Sequence, residues 1–410
     1  MTNDVKKVPE LRFPEFNEDW NERTLSDSIK ILKSGLSREL STTDIGLPVI
    51  RANNLQNYNL VLDDIKYWFK EDPKGAKTEN YYLEKNDILV NFINSEAKMG
   101  TSCIIKSDFK RDTIYTTNIL RYVTKEAYDS YFHYIYTQTY NYKKWIKIIT
   151  KPAVNQASFT TVDFKKIPYY IPEFKEQQKI GEFFSKLDRQ IELEEQKLVK
   201  LEEQKKGYMQ KIFSQELRFK NDKENNYPEW EVKQLKEILE FSNKRTTKEN
   251  EYPILTSSRK GLILQSDYYK EGKTFADSNV GYFILPKNFI TYRSRSDDGI
   301  FKFNLNQIID TGIISKYYPV FKGINSNQYY LALHLNNQLK KEYIKYATGT
   351  SQLVLSHKNL QEIKTKLPFY DEQTKIADFL IKFDELIEKQ NQKIDGLKSR
   401  KKGFLQKMFV

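Results

Sequence analysis

Cysteine and histidine are scarce in this sequence, and their scarcity excludes several classes of site. The 410 residues include one cysteine, Cys103, and three histidines, His133, His334 and His357. A single thiol cannot form an intrachain disulfide, and the three histidines do not have the spacing of zinc ligands. We therefore expect no structural metal and no metal bound by this chain.

Long apolar runs are also missing. The mean hydropathy is −0.70, and no stretch approaches the ~20 apolar residues that a membrane-spanning helix needs. The first residues, MTNDVKKVPELRF, lack the apolar segment of a signal peptide. These features predict a cytoplasmic protein that does not contact a membrane.

Motifs for catalysis are absent as well. Gly272-Lys273-Thr274 resembles the end of a phosphate-binding loop, but Asp267 stands where its first glycine belongs. The sequence has no G-x-G-x-x-G and no Asn-Pro-Pro-Tyr or Asp-Pro-Pro-Tyr element of the kind that adenine methyltransferases use. Asp297, Asp298 and Lys302 could imitate a nuclease site, although this pattern is common by chance. We expect a chain without catalytic activity of its own.

What the sequence does contain is excess positive charge. It has 67 Lys and Arg against 55 Asp and Glu, which gives a net charge of +12. Such a balance is typical of proteins that bind a polyanion such as nucleic acid. An AT-rich genome also favours lysine, so the location of the charge matters more than its sum.

The strongest pattern is an internal repeat. A shift of 196 residues aligns residues 155–214 with 351–410 without a gap, and 21 of the 60 positions are identical. The motif LRFPEFNEDW near the start also resembles LRFKNDKENNYPEW after the first repeat. Between these landmarks the halves show no convincing similarity. The pattern indicates a duplicated chain with two unlike variable segments.

Both copies of the repeat are predicted to be long helices. Apolar residues recur at alternating steps of four and three after Pro172 and Pro368, as in a coiled coil. About 38 residues in each helix would extend roughly 57 Å. We expect the two helices to pack in antiparallel fashion about a pseudo-two-fold axis. The predicted seam consists of Phe184, Leu187, Ile191, Leu198, Leu201, Leu380, Phe383, Ile387, Ile394 and Leu397.

Polar residues and glycines interrupt the two helices at matching places. Two seam positions are polar in both helices: one is Glu194 in the first copy and Gln390 in the second, and the other is Lys205 and Lys401. Polar groups at such positions commonly fix the register. Gly207 and Gly403 each cost the helix about 1 kcal/mol relative to alanine. We expect close approach of another helix to explain them, and a notch for a docking partner is the alternative.

The variable segments carry most of the positive charge. Residues 171–214 hold nine basic and nine acidic residues, and residues 367–410 hold nine and seven, so ten of the twelve net charges lie elsewhere. Short runs rich in Val, Ile, Tyr and Phe predict strands in both variable segments. One helix is predicted over residues 128–149 and another over residues 328–348.

Several polar residues stand beside the predicted strand ends, where residues that contact base edges are often found. Taken singly, each of them fits an ordinary surface group or a phosphate contact better than a base contact. Gln156 and Gln352 recur in both halves, which favours a shared structural or backbone-contact role. The candidate DNA-binding residues are Arg51, Asn53, Asn54, Lys98, Gln156, Arg259, Arg293, Arg295 and Gln352.

The sequence therefore predicts an α+β protein with two mixed α/β recognition domains and two long helices. The proposed division is residues 1–170 for the first domain, 171–216 for the central helix, 217–366 for the second domain and 367–410 for the C-terminal helix.

This arrangement resembles the specificity subunit of bacterial type I restriction-modification systems over essentially the whole chain. The most specific marks are two P-x-x-x-E-Q-x-K-I motifs, Pro172 to Ile180 and Pro368 to Ile376. Each precedes a helix that ends in K-K-G-[YF]-[ML]-Q-K-[IM]-F. Gly312 to Phe321 and the L-x-x-x-D-I-L pattern of Leu83 to Leu89 are also similar to the family's target recognition domains.

The resemblance implies a non-catalytic bacterial subunit that binds double-stranded DNA at a split site, one half for each recognition domain. It also implies two methyltransferase subunits as partners and, through them, two restriction and translocase subunits. S-adenosylmethionine, ATP and Mg²⁺ would then be bound by those partners and not by this chain.

Two other functions are compatible with the residues. One is a coiled-coil scaffold whose β-rich domains bind peptide or carbohydrate, with the charge incidental. The other is a nuclease, and this function would require that the purified chain cleaves DNA in the presence of a divalent metal.

Overall fold

The computed structural model describes residues 8–259, 261–268 and 278–410, so residues 272–274 lie outside the described part. The chain forms two compact units. Unit 1 contains the residues up to Gln196 together with Asn391–Val410, and unit 2 contains Lys197–Gln390. Each unit thus combines one variable segment with portions of both long helices.

The elements of the first half lie in unit 1, except that the long helix α5 continues into unit 2. The strands are β1 (Asn21–Thr24), β2 (Ile29–Ser34), β3 (Leu47–Ile50), β4 (Leu55–Gln56), β5 (Asn59–Leu60), β6 (Lys66–Trp68), β7 (Ile88–Asn91), β8 (Ile93–Asn94), β9 (Ser102–Ile104), β10 (Ile114–Tyr115), β11 (Ile119–Thr124), β12 (Ala157–Ser158) and β13 (Pro168–Ile171). The α-helices are α1 (Leu25–Ser28), α2 (Ser130–Tyr136), α3 (Tyr140–Ile149), α4 (Thr161–Lys165) and α5 (Phe174–Phe213). Short 3₁₀ helices cover Ala52–Asn54, Thr78–Tyr81 and Glu96–Lys98.

The elements of the second half lie in unit 2, except that the long helix α11 continues into unit 1. The strands are β14 (Glu231–Gln234), β15 (Leu239–Ser242), β16 (Leu255–Ser258), β17 (Gly261–Leu264), β18 (Phe283–Pro286), β19 (Ile290–Tyr292), β20 (Arg295–Ser296), β21 (Phe303–Leu305), β22 (Thr311–Ile314), β23 (Val320–Gly323), β24 (Leu353–Val354) and β25 (Lys364–Leu367). The helices are α6 (Leu235–Ile238), α7 (Gln265–Tyr268), α8 (Gln328–Gln338), α9 (Lys340–Tyr346), α10 (His357–Gln361) and α11 (Tyr370–Lys407).

The two variable segments share the strand order of a central sheet and of two ribbons, although their sequences show no convincing similarity. The central sheet has the order β2-β11-β7-β9 in unit 1 and β15-β23-β19-β21 in unit 2. The ribbon of β1 with β13 corresponds to β14 with β25, and β8 with β12 corresponds to β20 with β24. Other strands pair differently, as β10-β3-β6 in unit 1 and as β16-β17 and β18-β22 in unit 2. The duplication therefore includes the variable segments as well as the long helices.

Both helices predicted inside the variable segments are divided, so the prediction of single helices was wrong. Residues 128–149 form α2 and α3, because the Thr139 hydroxyl accepts the amide hydrogen of Tyr142 and begins a new helix. Residues 328–348 form α8 and α9, with the break at Leu339. Residues 282–295, a stretch rich in apolar and aromatic residues, contribute to three strands, β18, β19 and β20.

Each unit encloses an aromatic core to which the ends of the long helices contribute. In unit 1, Trp20 packs edge-to-face with Phe132 of α2 and with Phe409, which follows α11. In unit 2, Phe213 at the end of α5 lies against Tyr330 of α8. The long helices are thus part of the domain cores.

The Glu-Gln pair at the start of α5 connects three segments of unit 1. Glu176 is fully buried, and its two carboxylate oxygens each accept a hydrogen bond of 2.8 Å from Arg12. The Gln177 side chain accepts the amide hydrogen of Asp129, which caps α2, at 3.1 Å and donates to the carbonyl of Pro172 at 2.9 Å.

The same arrangement recurs at the start of α11. Glu372 accepts hydrogen bonds of 3.2 and 2.9 Å from Arg218. Gln373 accepts the amide hydrogen of Asn327, which caps α8, and donates to the carbonyl of Pro368. The repeated Glu-Gln pair therefore has a structural role, and LRF supplies its arginine in both halves.

The predicted seam is buried or half-buried at all ten positions. In unit 1, Lys401 pairs with Asp188 at 2.6 Å and Lys393 pairs with Glu194 at 2.8 Å. This reversed order of partners makes the helix segments antiparallel. In unit 2, Lys205 pairs with Asp384, which is the equivalent contact in the repeat.

The expectation that Gly207 and Gly403 allow close approach of another helix was wrong. Apart from the adjacent backbone of its own helix, a Cβ atom added at either position would meet no atom of the described residues within 4 Å. These glycines lower helix propensity without any packing gain inside the chain.

Loss of a buried ion pair should lower the free energy of unfolding much more than loss of an exposed one. Arg12→Ala leaves the Glu176 carboxylate buried without its partner and should lower the free energy of unfolding by about 3 kcal/mol. Urea unfolding monitored by circular dichroism would measure the change.

The matched control is Lys179→Ala, which removes the exposed pair with Glu15. We expect no measurable change there, because exposed ion pairs contribute little. Equal effects of the two substitutions would contradict the structural role of Glu176.

Buried histidines predict acid sensitivity. His133 lies between the Asp129 carbonyl (2.8 Å) and the Tyr169 hydroxyl (2.9 Å), and burial lowers its pKa to about 4. The unfolded chain binds that proton near pH 6.5, so acidification from pH 7 to 5 should favour unfolding by about 2 kcal/mol through this residue. Urea unfolding at both pH values should show a correspondingly smaller loss for His133→Gln. An equal loss in both proteins would refute the assignment.

Candidate nucleic-acid interface

Unit 1 contains a polar cleft of about 430 Å³ that brings together four of the predicted DNA-binding residues. Arg51, Asn53, Lys98 and Gln156 all line it. They are separated by up to about a hundred residues in sequence, so the sheet and its loops create the cluster. Asn53, Lys98 and Gln156 are exposed, and Arg51 is half-buried.

The strand ends explain how these side chains meet. Arg51 follows β3 directly, and Lys98 ends the 3₁₀ helix that follows β8. Gln156 immediately precedes β12, which pairs with β8 through Asn94 and Ala157. Three loops at neighbouring strand ends therefore form one polar rim.

Asn54 does not belong to this rim, which corrects its assignment as a DNA contact. Its side chain is 1% exposed. The amide nitrogen donates to the carbonyls of Val61 and Asp63, and the amide oxygen accepts the backbone hydrogen of Arg51. Asn54 holds the loop that carries its neighbours and has no free group for a base.

Both arginines of the unit 1 cleft are bound to carboxylates. Arg51 donates to Asp64 at 2.7 Å, and these hydrogen bonds lower the pKa of that aspartate. Arg38, which the sequence patterns did not single out, donates to Asp72 and holds its pKa well below the usual range. The carboxylates neutralise much of the cleft's positive charge.

The sequence patterns did not indicate a group of uncharged residues in this cleft. Thr116, Thr117 and Asn118 follow β10 and are half-buried at its surface, close to Asn94 of β8. A run of three small polar residues between two apolar strands is the only signal that could have indicated them.

Unit 2 contains two adjoining clefts of about 470 and 450 Å³. Arg293 and Arg295 line both of them. Arg259 lines the first cleft, and Gln352 lines the second. The structure therefore brings together all four residues predicted in this half.

These residues occupy positions that correspond to those of unit 1. Arg259 follows β16 as Arg51 follows β3, and Gln352 precedes β24 as Gln156 precedes β12. Arg295 lies in β20, which pairs with β24. One topology thus positions both rims.

Acidic residues restrain part of the unit 2 rim. Arg259 pairs with Asp298 at 2.6 Å, and Gln352 donates to Asp297 at 2.8 Å. The pKa of Asp298 is lowered by the backbone amide of Ile300 first and by Arg259 to a smaller extent.

This geometry does not favour the nuclease interpretation of Asp297, Asp298 and Lys302. Both aspartates already accept hydrogen bonds within the rim. Burial and the nearby Lys340 and Lys205 lower the pKa of Lys302. Over residues 8–259, 261–268 and 278–410, no group of three or more His, Cys, Asp or Glu side chains could hold a metal ion.

Within the described residues, the guanidinium groups of Arg293 and Arg295 are free cations of the rim, and the exposed Lys302 lines one of the same clefts. In the described part of the chain, neither group makes a hydrogen bond or an ion pair. Arg295 lies over the ring of Tyr317 at 5.1 Å, which restrains its orientation. Both side chains are exposed at the clefts.

None of the described helices combines the length and the apolar character required to cross a membrane.

Solved structures support the fold. The type I restriction-modification S subunit of M. genitalium has 15% identity and a TM-score of 0.59 over 98% of this chain and 99% of that one. A chain from a study of complex assembly and conformational transition of the type I R-M system has 14% identity and a TM-score of 0.52, with 95% and 97% covered. At these identities the likeness concerns the fold alone.

Sequence comparisons identify the family. A protein assigned as the MjaX type I restriction enzyme specificity subunit of Methanocaldococcus jannaschii is 26% identical over 95% of this chain and 93% of its own length. The MjaVIII specificity subunit of the same organism is 26% identical over 59% and 61%. The model of the type I restriction modification DNA specificity domain matches residues 17–203 and 227–399. This chain therefore belongs to the family of type I restriction-modification specificity subunits.

Proposed function

We propose that the chain is the non-catalytic DNA-recognition subunit of a type I restriction-modification complex and reads a bipartite site. The segments of residues 1–170 and 217–366 each read one half. The observation that carries this proposal is the pair of equivalently placed clefts, each rimmed by exposed basic and amide side chains at strand ends. Such groups contact phosphates and base edges.

The two long helices, in this proposal, form an antiparallel coiled coil about a pseudo-two-fold axis and set the distance between the half-sites. Their repeated surfaces hold two methyltransferase subunits and, through them, two restriction and translocase subunits. The open surface at Gly207 and Gly403 supports a docking role for this part of the helices. S-adenosylmethionine, ATP and Mg²⁺ are assigned to the partners.

Salt dependence tests the DNA-binding role directly. If the assembled complex makes about 6 to 10 phosphate contacts, its affinity for duplex DNA should fall by ~10³ to 10⁵ between 50 and 200 mM salt. Lys98→Ala should weaken binding to all sequences alike and reduce the salt slope by about one unit. Fluorescence anisotropy with labelled duplexes would measure both effects.

Arg23→Gln is the control, because Arg23 is exposed in β1 and lies outside the cleft lining. It should leave the salt slope unchanged. Binding that hardly responds to salt would instead favour a scaffold for peptide or carbohydrate.

The spacing role predicts a separate effect of helix length. Insertion of one heptad into each long helix should lengthen the preferred spacer and leave both half-sites unchanged, because the clefts lie outside the helices. Sequencing of the methylated host DNA would show the spacer directly.

A two-residue insertion in each helix is the informative control, since it rotates the following residues by about 200° out of the seam and should abolish assembly. New half-sites with an unchanged spacer would refute the spacing role.

A further inference from the structure

The two units present different chemistry at equivalent positions of their clefts. In the ribbon of β8 with β12, Ile93 pairs with Ser158; in the ribbon of β20 with β24, Arg295 occupies the corresponding position opposite Val354. The loop before the next sheet strand carries Thr116 to Asn118 in unit 1 and Ser315 to Pro319, with two tyrosines, in unit 2. Because these strands have the same order in both units, the two clefts can be compared position by position.

Unit 1 offers amides and hydroxyls. Its arginines, Arg38 and Arg51, are bound to Asp72 and Asp64. The side-chain amides of Asn53, Asn118 and Gln156 have no hydrogen-bond partner in the described chain and line the cleft. The exposed cation of this cleft, Lys98, is assigned to a phosphate in the proposed function, so neutral groups that both donate and accept remain as the base readers of unit 1.

Unit 2 offers guanidinium groups. Arg293 and Arg295 are exposed, line both clefts and make no ion pair within the described residues. Contact with Tyr317 restrains the Arg295 guanidinium plane, so less conformational freedom is lost when that group binds a planar acceptor.

The major groove distinguishes these two sets of side chains. Asn and Gln amides bond N6 and N7 of adenine in a bidentate manner, and threonine methyl groups contact the thymine methyl. Arginine bonds O6 and N7 of guanine. Phosphate contacts alone would not need amides in one unit and guanidiniums in the other.

We propose that unit 1 reads A·T base pairs through Asn118 and Gln156, and that unit 2 reads guanine through Arg293 and Arg295. The inference rests on the proposed function and names the bases that the same clefts select. It assigns the guanine-specified half of the bipartite site to the C-terminal recognition segment.

The test uses the complex of the full chain with its methyltransferase partner, produced in a host free of DNA methylation. Methylome sequencing should give a split motif in which one half contains fixed guanines. Arg293→Gln or Arg295→Gln should relax one guanine position in that half by about 5- to 150-fold and leave the other half unchanged. Lys236→Gln, which removes an exposed charge of α6 outside the clefts, should leave both halves unchanged.

Duplexes with 7-deazaguanine at single positions then show whether the arginines bond N7 of guanine. Loss of N7 removes one of the two hydrogen bonds of the bidentate pair, so it should weaken the wild-type complex about 2- to 12-fold at the position that each arginine reads and should have no further effect on the corresponding variant. Two different arginine variants guard against the failure of either one to fold.

Three outcomes would overturn the inference. If the arginine substitutions weaken binding equally for all sequences, these residues contact phosphates. If the half-site that responds to substitutions in unit 2 contains no fixed guanine, the base assignment is refuted and the proposed function remains intact. Binding and methylation without any sequence preference would refute both.

Discussion

A buried carboxylate at the start of each long helix is the constraint on which the rest of the structure depends. The side chains of Glu176 and Glu372 are 0% and 1% exposed, and an arginine from the LRF motif neutralises each of them. Because an unpaired buried charge is costly, the carboxylate fixes where the LRF segment lies. The adjoining glutamine fixes the helix cap of the variable segment. Two consecutive residues thus set the position of the helix, the LRF segment and the variable segment within each unit.

This constraint explains which parts of the sequence repeat and which diverge. Residues that enter the Glu-Gln contacts or the Lys-Asp pairs of the seam recur in both halves, because a change in one partner leaves the other unsatisfied. Cleft residues have fewer internal partners, so they can change without loss of folding. The guanidinium groups of Arg293 and Arg295, which make no hydrogen bond or ion pair within the described residues, illustrate that freedom. The cleft residues can therefore differ between the two units while the strand order around them stays the same. Under this condition two units of one fold can bind different ligands.

The sequence was informative where a residue's role depends on periodicity and uninformative where it depends on three-dimensional neighbours. Heptad spacing predicted the ten seam positions, whose burial follows directly from the period. It did not reveal the break between α2 and α3, because buried aromatics such as Tyr136 and Tyr142 continue the apolar pattern on both sides of Thr139. Asn54 looked like its exposed neighbour Asn53, and only the carbonyls of Val61 and Asp63 distinguish them. The shared topology was invisible for the same reason: strand order is determined by pairing, and many sequences satisfy one order.

The glycines of the long helices illustrate a different physical limit. Sequence alone correctly identifies Gly207 and Gly403 as costly for a helix, but the reason for that cost lies outside the sequence pattern. Since no atom of the described chain, apart from the adjacent backbone of the same helix, would meet a Cβ at either position, packing within the chain does not compensate for it. Binding of a partner over this open surface would be one source of compensation. A specificity subunit has such a source available, because stability that a subunit lacks alone can be supplied by the partners that bind its folded state.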